Sequence, residues 1–318
     1  MSERHPAPEP VDWMDDVTAH ARVSRTGRKA GRSSVRRLGQ AALVLLAVVW
    51  CLFPIYFMLV QSLKTAEEDV FGSPLIVRRP TLENFADLFA ERVPARGIIS
   101  GGLLRSYPFV AWLENTLVVF AGALALTLVL SVMAGWALGR LRPPGGRWWR
   151  RALFATYAVP HTILFVPLYQ VVIQLGLDDS LLALLLVYPM LALPFCVWLL
   201  SAYWARLPRE LLDQARIDGA TPADVFFRIA LPLSRPVLVA AAVFTLGTIA
   251  SDFMLASVFL LDPRTQTIPA GIGSMDVSLE ELPAVAGVIV MALPLALLCA
   301  AFARTYVRGL TAAMGEGA

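Results

Sequence analysis

The side chains in this chain that could bind a metal or act as nucleophiles are few, and they are not grouped for either task. Its three histidines are His5, His20 and His161, and its three cysteines are Cys51, Cys196 and Cys299. The cysteine spacing fits no metal site, and His161 has no second His or Cys at ligand spacing. Standing after Pro160 in an apolar run, His161 reads as a packing residue or as the lining of a polar path. The stretch GRKAGRSS, from Gly27 to Ser34, lacks the Lys-Ser/Thr pair that would hold nucleotide phosphates and magnesium. There is no nucleophile elbow, nor a glycosidase-like carboxylate pair in a folded soluble unit. The chain is therefore expected to be non-catalytic, with no metal and no cofactor of its own.

What remains is charge in two settings. Asp252, preceded by Ser251, is the only acid inside any of the long apolar runs, and a carboxylate placed there is a functional candidate by default. It could line a polar pathway, or it could hold two helices together by a hydrogen bond. The second setting is a polar island between two such runs, PRELLDQARIDGATPADVFFRIALPLSRP, from Pro208 to Pro236. Its exposed acids and bases can form ion pairs with another protein, which is chemistry of recognition rather than of bonds.

The elements that must position these groups follow from composition. The 318 residues are 57% hydrophobic and 16% charged, where a soluble domain has about one quarter charged residues. A bilayer core about 30 Å thick takes about 20 apolar residues per helix. Six runs of that length occur, at residues 38–63, 117–138, 152–175, 181–204, 237–261 and 282–303. Lipid offers no partner to backbone amides, so the reading is an all-α membrane protein with six transmembrane helices.

Twenty of the 27 Lys and Arg residues fall before the first run, between the second and third, between the fourth and fifth, where the island lies, or after the last run. By the positive-inside rule, both termini and the island are cytoplasmic. Residues 1–37 form a basic tail, expected to be partly disordered up to about Ser33 and to lie on anionic headgroups. The first run is too long for a signal-peptide core and reads as an uncleaved anchor. Residues 64–111 and 262–281 become outer loops, and 309–318 a cytoplasmic C-terminal tail. Trp112, Trp148, Trp149 and Trp204 stand at run ends and read as interfacial anchors.

Within the island, Pro208 opens a helical segment that Gly219 breaks. A second begins with Thr221 as cap, Pro222 in its first turn and Asp224 near its favourable N-terminal end. Leu211, Leu212, Ala215, Val225, Phe226 and Ile229 supply an apolar face, while Asp213, Arg216 and Asp224 can face solvent. Pro232 and Pro236 redirect the chain into the fifth run. Composition alone allows either an amphipathic loop lying on the membrane or a docking element.

This stretch resembles the EAA loop of ATP-binding-cassette importer permeases. Asp213, Gln214 and Ala215 stand where that family writes Glu-Ala-Ala, followed by Asp218, Gly219, Ala220, Phe227, Leu231, Pro232 and Pro236. SLKTAEED (62–69), RPTLENFADLF (79–89), GWALGRLRPPGGR (135–147), VPLYQVVIQLGLDDSLLALLLVY (166–188) and LPFCVWLL (193–200) resemble the carbohydrate subfamily, like the smaller permease of maltose-type transporters. So does the ending RGLTAAMGEGA, from Arg308.

The resemblance implies a type I importer permease fold over residues 38–308, with a coupling loop at 205–236. There, Asp213, Gln214, Ala215, Arg216, Asp218, Gly219, Ala220 and Phe227 would contact an ATPase. It implies that Gly309, Leu310 and Thr311 run along the ATPase interface, and that Asp252, Ser251 and His161 belong to the translocation pathway. The loop DPRTQTIPAGIGSMDVSLEE, from Asp262, resembles one that reaches into a binding protein as an exposed finger built on Thr267, Pro269, Gly271 and Gly273. Alternatively, it is a plain surface connection. The implied partners are a second, non-identical permease, two ATPase subunits carrying ATP and magnesium, an extracytoplasmic solute-binding protein and the plasma membrane of a bacterium or archaeon. The solute would be a sugar or oligosaccharide. A permease for glycerol phosphate, a polyol or a peptide, and a receptor or scaffold that docks an ATPase, stay open.

Overall fold

The computed structural model describes residues 13–94, 104–141, 143–156 and 161–314. The chain divides into two units, Met1–Phe57 and Met58–Ala318. A single long helix, α1 (Trp13–Ser62), runs from the first into the second. Its apolar part, Leu38–Ser62, is 25 residues long, enough to cross a bilayer. The backbone is helical from Trp13, within the stretch expected to be partly disordered. The prolines of the tail lie before that point, and residues 13–37 are rich in Ala and Arg, which favour helix.

In the second unit come α2 (Ala66–Phe71), α3 (Glu83–Phe89) and a two-residue hairpin, β1 (Val93–Pro94) with β2 (Leu104–Arg105), in which Val93 pairs with Arg105. Buried Asn84 ties this region to the end of α1 by donating to the carbonyls of Ser62 (2.8 Å) and Lys64 (2.9 Å). Next are α4 (Phe109–Trp136), which continues as a π-helical turn Ala137–Leu141, then α5 (Gly146–Thr156), α6 (His161–Gln174) and α7 (Leu181–Arg206). The island holds α8 (Arg209–Ile217), α9 (Pro222–Asp224), a π-helical turn Val225–Ala230 and α10 (Leu231–Leu233). The chain ends with α11 (Arg235–Ala250), α12 (Met254–Phe259), α13 (Ile268–Ser274) and α14 (Val277–Met314).

Among the described residues, four helices are long and apolar enough to cross a membrane: Leu38–Ser62, Phe109–Leu141, Leu181–Arg206 and Glu280–Ala301. These agree with four of the six expected runs. The third run includes residues 157–160, which lie outside the described residues; of α5 and α6 on either side, the apolar part of α6, Ile163–Gln174, is too short to cross alone. The fifth breaks after Ala250, because the Asp252 carboxylate accepts the amides of Leu255 (3.4 Å) and Ala256 (3.3 Å) and so starts a new helix, α12. Before it, α11 meets Pro222–Leu233 at a bend of 68°. Pro236 has no amide hydrogen for a carbonyl one turn back, so the helix cannot run straight through.

The central contact of this unit is between α4 and α7. Ala123, Thr127, Ser131, Gly135 and Gly139 recur every fourth residue and are all buried. A stripe of small side chains lets two helices approach closely, the form of packing available where lipid removes the hydrophobic driving force. Three apolar clusters include residues of α4 or α7, the last two joining both helices. One holds Trp112 with Phe109 and Ile268, a middle one holds Phe120, Tyr188 and Phe259, and a third holds Trp204 with Leu200 and Val237.

Trp112 and Trp204 are therefore core residues, each fully buried, and not interfacial anchors. Each indole N–H finds a partner inside the protein, which removes the need for headgroup water. Trp148 and Trp149 on α5 are exposed, as an anchor would be. At the end of the chain the backbone of residues 309–311 continues α14, so no separate tail begins at Gly309; the side chains of Gly309, Leu310 and Thr311 lie outside the described residues.

A methyl group added at Gly139 would sit 2.6 Å from the Ser201 carbonyl oxygen, on backbone that cannot turn aside. Gly139→Ala is expected to lower stability by about 2 kcal/mol, read as a lower melting temperature of the purified protein in detergent.

Candidate functional site: a pinned helix-turn-helix, a cleft and a strapped loop

The island folds as its local chemistry demands. α8 ends where Gly219 takes φ +90°, a left-handed conformation that costs glycine nothing. This lets the Ala220 amide donate back to the Ala215 carbonyl at 3.0 Å and close the helix end. Thr221 then caps α9 in a reciprocal box. The Asp224 amide donates to the Thr221 hydroxyl (3.2 Å), and the Thr221 amide donates to the Asp224 carboxylate (3.2 Å). The Thr221 hydroxyl also donates to that carboxylate at 2.5 Å, and these bonds hold the Asp224 carboxyl below the usual aspartate range.

One side of this unit is anchored and the other is free of the fold. Leu212 and Val225 are buried, and Ala215, Phe226 and Ile229 are half-buried, while Leu211 is exposed despite its place in the expected apolar face. Asp213, Gln214, Arg216, Asp218 and Gly219 are exposed, with Ala220 partly so. Ile217 and Phe227 expose 85% and 63% of their surface, far more than a monomer needs of two large apolar groups on a charged face. Asp213 is paired within the chain, accepting from Arg216 at 3.2 Å, and Arg228 pairs with Asp224 at 3.2 Å.

The anchoring comes from side chains that sequence reasoning had placed elsewhere or overlooked. Trp136, Trp204 and Phe226 form an aromatic cluster with centroid separations of 5.6, 5.1 and 6.3 Å, joining the ends of α4 and α7 to the island. The Trp204 indole donates to the Ser234 hydroxyl at 2.5 Å, and that hydroxyl donates to the Ala230 carbonyl at 2.6 Å. Tyr203 donates to the Leu233 carbonyl (2.6 Å), and Arg140 to the Leu207 carbonyl (3.2 Å).

Asp252 makes a hydrogen bond between helices and also borders a cleft. It accepts from the Tyr188 hydroxyl at 2.9 Å, so it is a packing hydrogen bond between α7 and the α11–α12 break. It also lines, with Ser251, Thr248, Phe165, Leu191, Met254 and Leu255, a mainly apolar cleft of about 150 Å³. Ser251 is exposed there, whereas the His161 side chain lies outside the described residues.

The loop from Asp262 is not the exposed finger its glycines suggested. Thr267 and Gly271 are buried, Pro269 is half-buried, and only Gly273 is open. All but Thr267 lie in α13, and Gly271 is small because a Cβ there would meet the Trp112 ring at 2.3 Å. The exposed part is the preceding turn, Leu261 to Arg264, and it is strapped down. Trp112 donates to the Pro263 carbonyl (2.6 Å), and Asn115 donates to the carbonyls of Arg264 and Gln266 (2.9 Å each). Asp179 accepts the amides of Leu261 (2.5 Å) and Asp262 (2.8 Å). Asp179 was passed over in the sequence; an acid in a short turn between two apolar runs is the signal that marks it.

Four apolar spans, a bent entry to α11 and an exposed helix-turn-helix held on the ends of α4 and α7 define an integral membrane component. The family model for the inner membrane component of binding-protein-dependent transport systems matches residues 127–310, and the chain belongs to that family. It is 28% identical over 90% of its length to the inner membrane ABC transporter permease protein YcjP of Escherichia coli, covering 99% of that protein. It is 29% identical to the trehalose/maltose transport system permease protein MalG of Thermococcus litoralis, over 86% of this chain and 94% of that one. With the sulfoquinovosyl glycerol transport system permease protein SmoH of Agrobacterium fabrum it shares 31% identity, over 82% and 87%. The fold matches a chain of a bacterial ABC transporter that imports alginate, with a TM-score of 0.65 at 17% identity over 86% of this chain and 97% of that one.

The Asp224 cap gives a pH test. Its folded pKa is depressed, so its contribution is complete above the ordinary aspartate range and is lost as pH falls through the depressed value. Amide exchange at Asp224 and Val225 should lose protection over that acid interval, while protection in α7 persists.

Proposed function

We propose that this chain is one of two non-identical permease subunits of a binding-protein-dependent ATP-binding-cassette importer for a sugar or oligosaccharide. It provides half of the translocation pathway and couples solute passage to ATP hydrolysis on partner subunits. The observation that carries this reading is the island: an ordered helix-turn-helix whose charged and apolar outer face, Asp213 to Phe227, is exposed while its inner face is held by the ends of α4, α7 and α11. In this reading Asp213, Gln214, Ala215, Arg216, Asp218, Gly219, Ala220 and Phe227 meet an ATPase subunit, and ATP with magnesium binds there rather than on this chain. The distribution of Lys and Arg supports cytoplasmic termini and a cytoplasmic island.

The two remaining expected spans are α5 with α6, and α11 with α12; the second is broken after Ala250 and so able to line a pathway, as non-helical backbone at membrane depth does. Asp252 and Ser251 face that pathway at the α11–α12 break. On the outer side, the turn Leu261 to Arg264 meets the binding protein, together with the segment of Thr267, Pro269, Gly271 and Gly273 that follows it in the chain. The solute class rests on the relatives, whose names give trehalose or maltose and sulfoquinovosyl glycerol. Alternating access, with nucleotide binding favouring one of two arrangements, is the mechanism.

The test is reconstitution with the partner permease, the ATPase and the binding protein, and identification of the solute that co-purifies with that binding protein. Asp213→Arg should cut uptake of that solute at least about tenfold while ATP turnover continues, by setting a like charge against a basic partner. Unchanged uptake removes Asp213 from the contact. Gly219→Val, forced into a left-handed conformation at a cost of about 1–3 kcal/mol, should abolish co-purification of the ATPase.

A further inference from the structure

The covalent link between α7 and the island is poor at passing on movement. Between Arg206 and Arg209 lie only Leu207 and Pro208, both with ψ 132°, an extended stretch whose bonds are a long one from the Leu207 amide to the Trp204 carbonyl (3.3 Å) and one from Arg140 to the Leu207 carbonyl, with none reaching on into α8. A displacement of α8 would be absorbed there if nothing bypassed it.

A bypass exists one turn earlier. Trp204 is fully buried, stacks edge-on against Trp136 at 87°, and donates its N–H to Ser234. Ser234 is itself fully buried and stands at the 68° bend, as the residue before α11. Its hydroxyl passes the bond on to the carbonyl of Ala230, the last residue of the π-helical turn Val225–Ala230. The same turn carries Phe226, which contacts both tryptophans. π-Turns inside helices are uncommon and collect at functional sites, and here two of them, Ala137–Leu141 and Val225–Ala230, flank one aromatic cluster.

We propose that Trp204 is a transmission pin. Through Ser234 it locks the inner end of α7 to the bend before α11, and through Trp136 to α4. Movement of the coupling helices then displaces the three spans together instead of being lost in the Leu207–Pro208 link. Trp204 touches neither solute nor nucleotide and is a positioning residue, and its role rests on the permease reading above.

Trp204→Phe keeps a buried ring but removes the donor together with part of the indole's volume, so Ser234→Ala is the cleaner test, removing the acceptor while leaving the tryptophan packed. The experiment uses the complete transporter, with both permeases and the ATPase, in proteoliposomes, and needs no knowledge of the solute. Ser251→Cys is labelled with a membrane-impermeant maleimide, with and without ATP plus orthovanadate, against a background lacking that cysteine. With Trp204 intact, nucleotide trapping should change the labelling rate. Trp204→Phe and Ser234→Ala should each shrink that change by about fivefold, the shift one buried hydrogen bond makes in a two-state equilibrium. ATP turnover should persist, and the double variant should add little. An unaltered nucleotide-dependent change in both single variants overturns the pin. If only the yield or melting temperature falls, with the labelling change intact, Trp204 is structural and the proposal fails. Absence of any nucleotide-dependent change with Trp204 and Ser234 intact overturns the permease reading itself.

Discussion

Everything in the second unit hangs on how closely α4 and α7 can approach. In lipid, apolar side chains gain little by leaving one another's company, so contact between helices depends on fit and on the few polar bonds available. The stripe Ala123, Thr127, Ser131, Gly135 and Gly139 supplies the fit. Once the two helices lie together, their ends define two platforms, separated by about 36 Å at 1.5 Å per residue between Trp112 and Trp136. The bond-rich parts of the molecule assemble on these platforms, because only there can loops find partners for their amides and carbonyls.

The two platforms use the same device. At one end buried Trp112 of α4, and at the other buried Trp204 of α7, directs its N–H to another segment of chain, the Pro263 carbonyl and the Ser234 hydroxyl respectively. Tryptophan suits this because its ring fills the core while its single donor fixes a direction. Between the platforms polar bonding is sparse, and the Tyr188–Asp252 pair stands beside the cleft where the fifth run is interrupted.

Much of this was legible in the sequence where local chemistry decides. The island's turn followed from Gly219, Thr221, Pro222 and Asp224, since each acts on backbone within three residues of itself. The run 181–204 was legible as α7 because a long uncharged segment has few other structures open to it. What depended on distant partners was not. A tryptophan at the end of a run suits an interface or a core equally, and nothing near Trp112 in sequence reveals Pro263. Gly271 and Gly273 looked like loop residues because glycine permits turns, yet Gly271 is in a helix and small because Trp112 lies on it. The break at Asp252 was read as a site but not as a helix start, though an acid three residues before an amide can cap it. The four-residue stripe was visible in principle, being a matter of spacing alone.

The bend at Ser234 has a mechanical consequence. An arm set at 68° to a shaft is a crank. A push on Pro222–Leu233 at right angles to both acts on α11 as a sideways force together with a torque about its axis, and with no thrust along it. Because the Trp204–Ser234 bond sits at the elbow of that crank, the arm cannot turn α11 without also loading the end of α7.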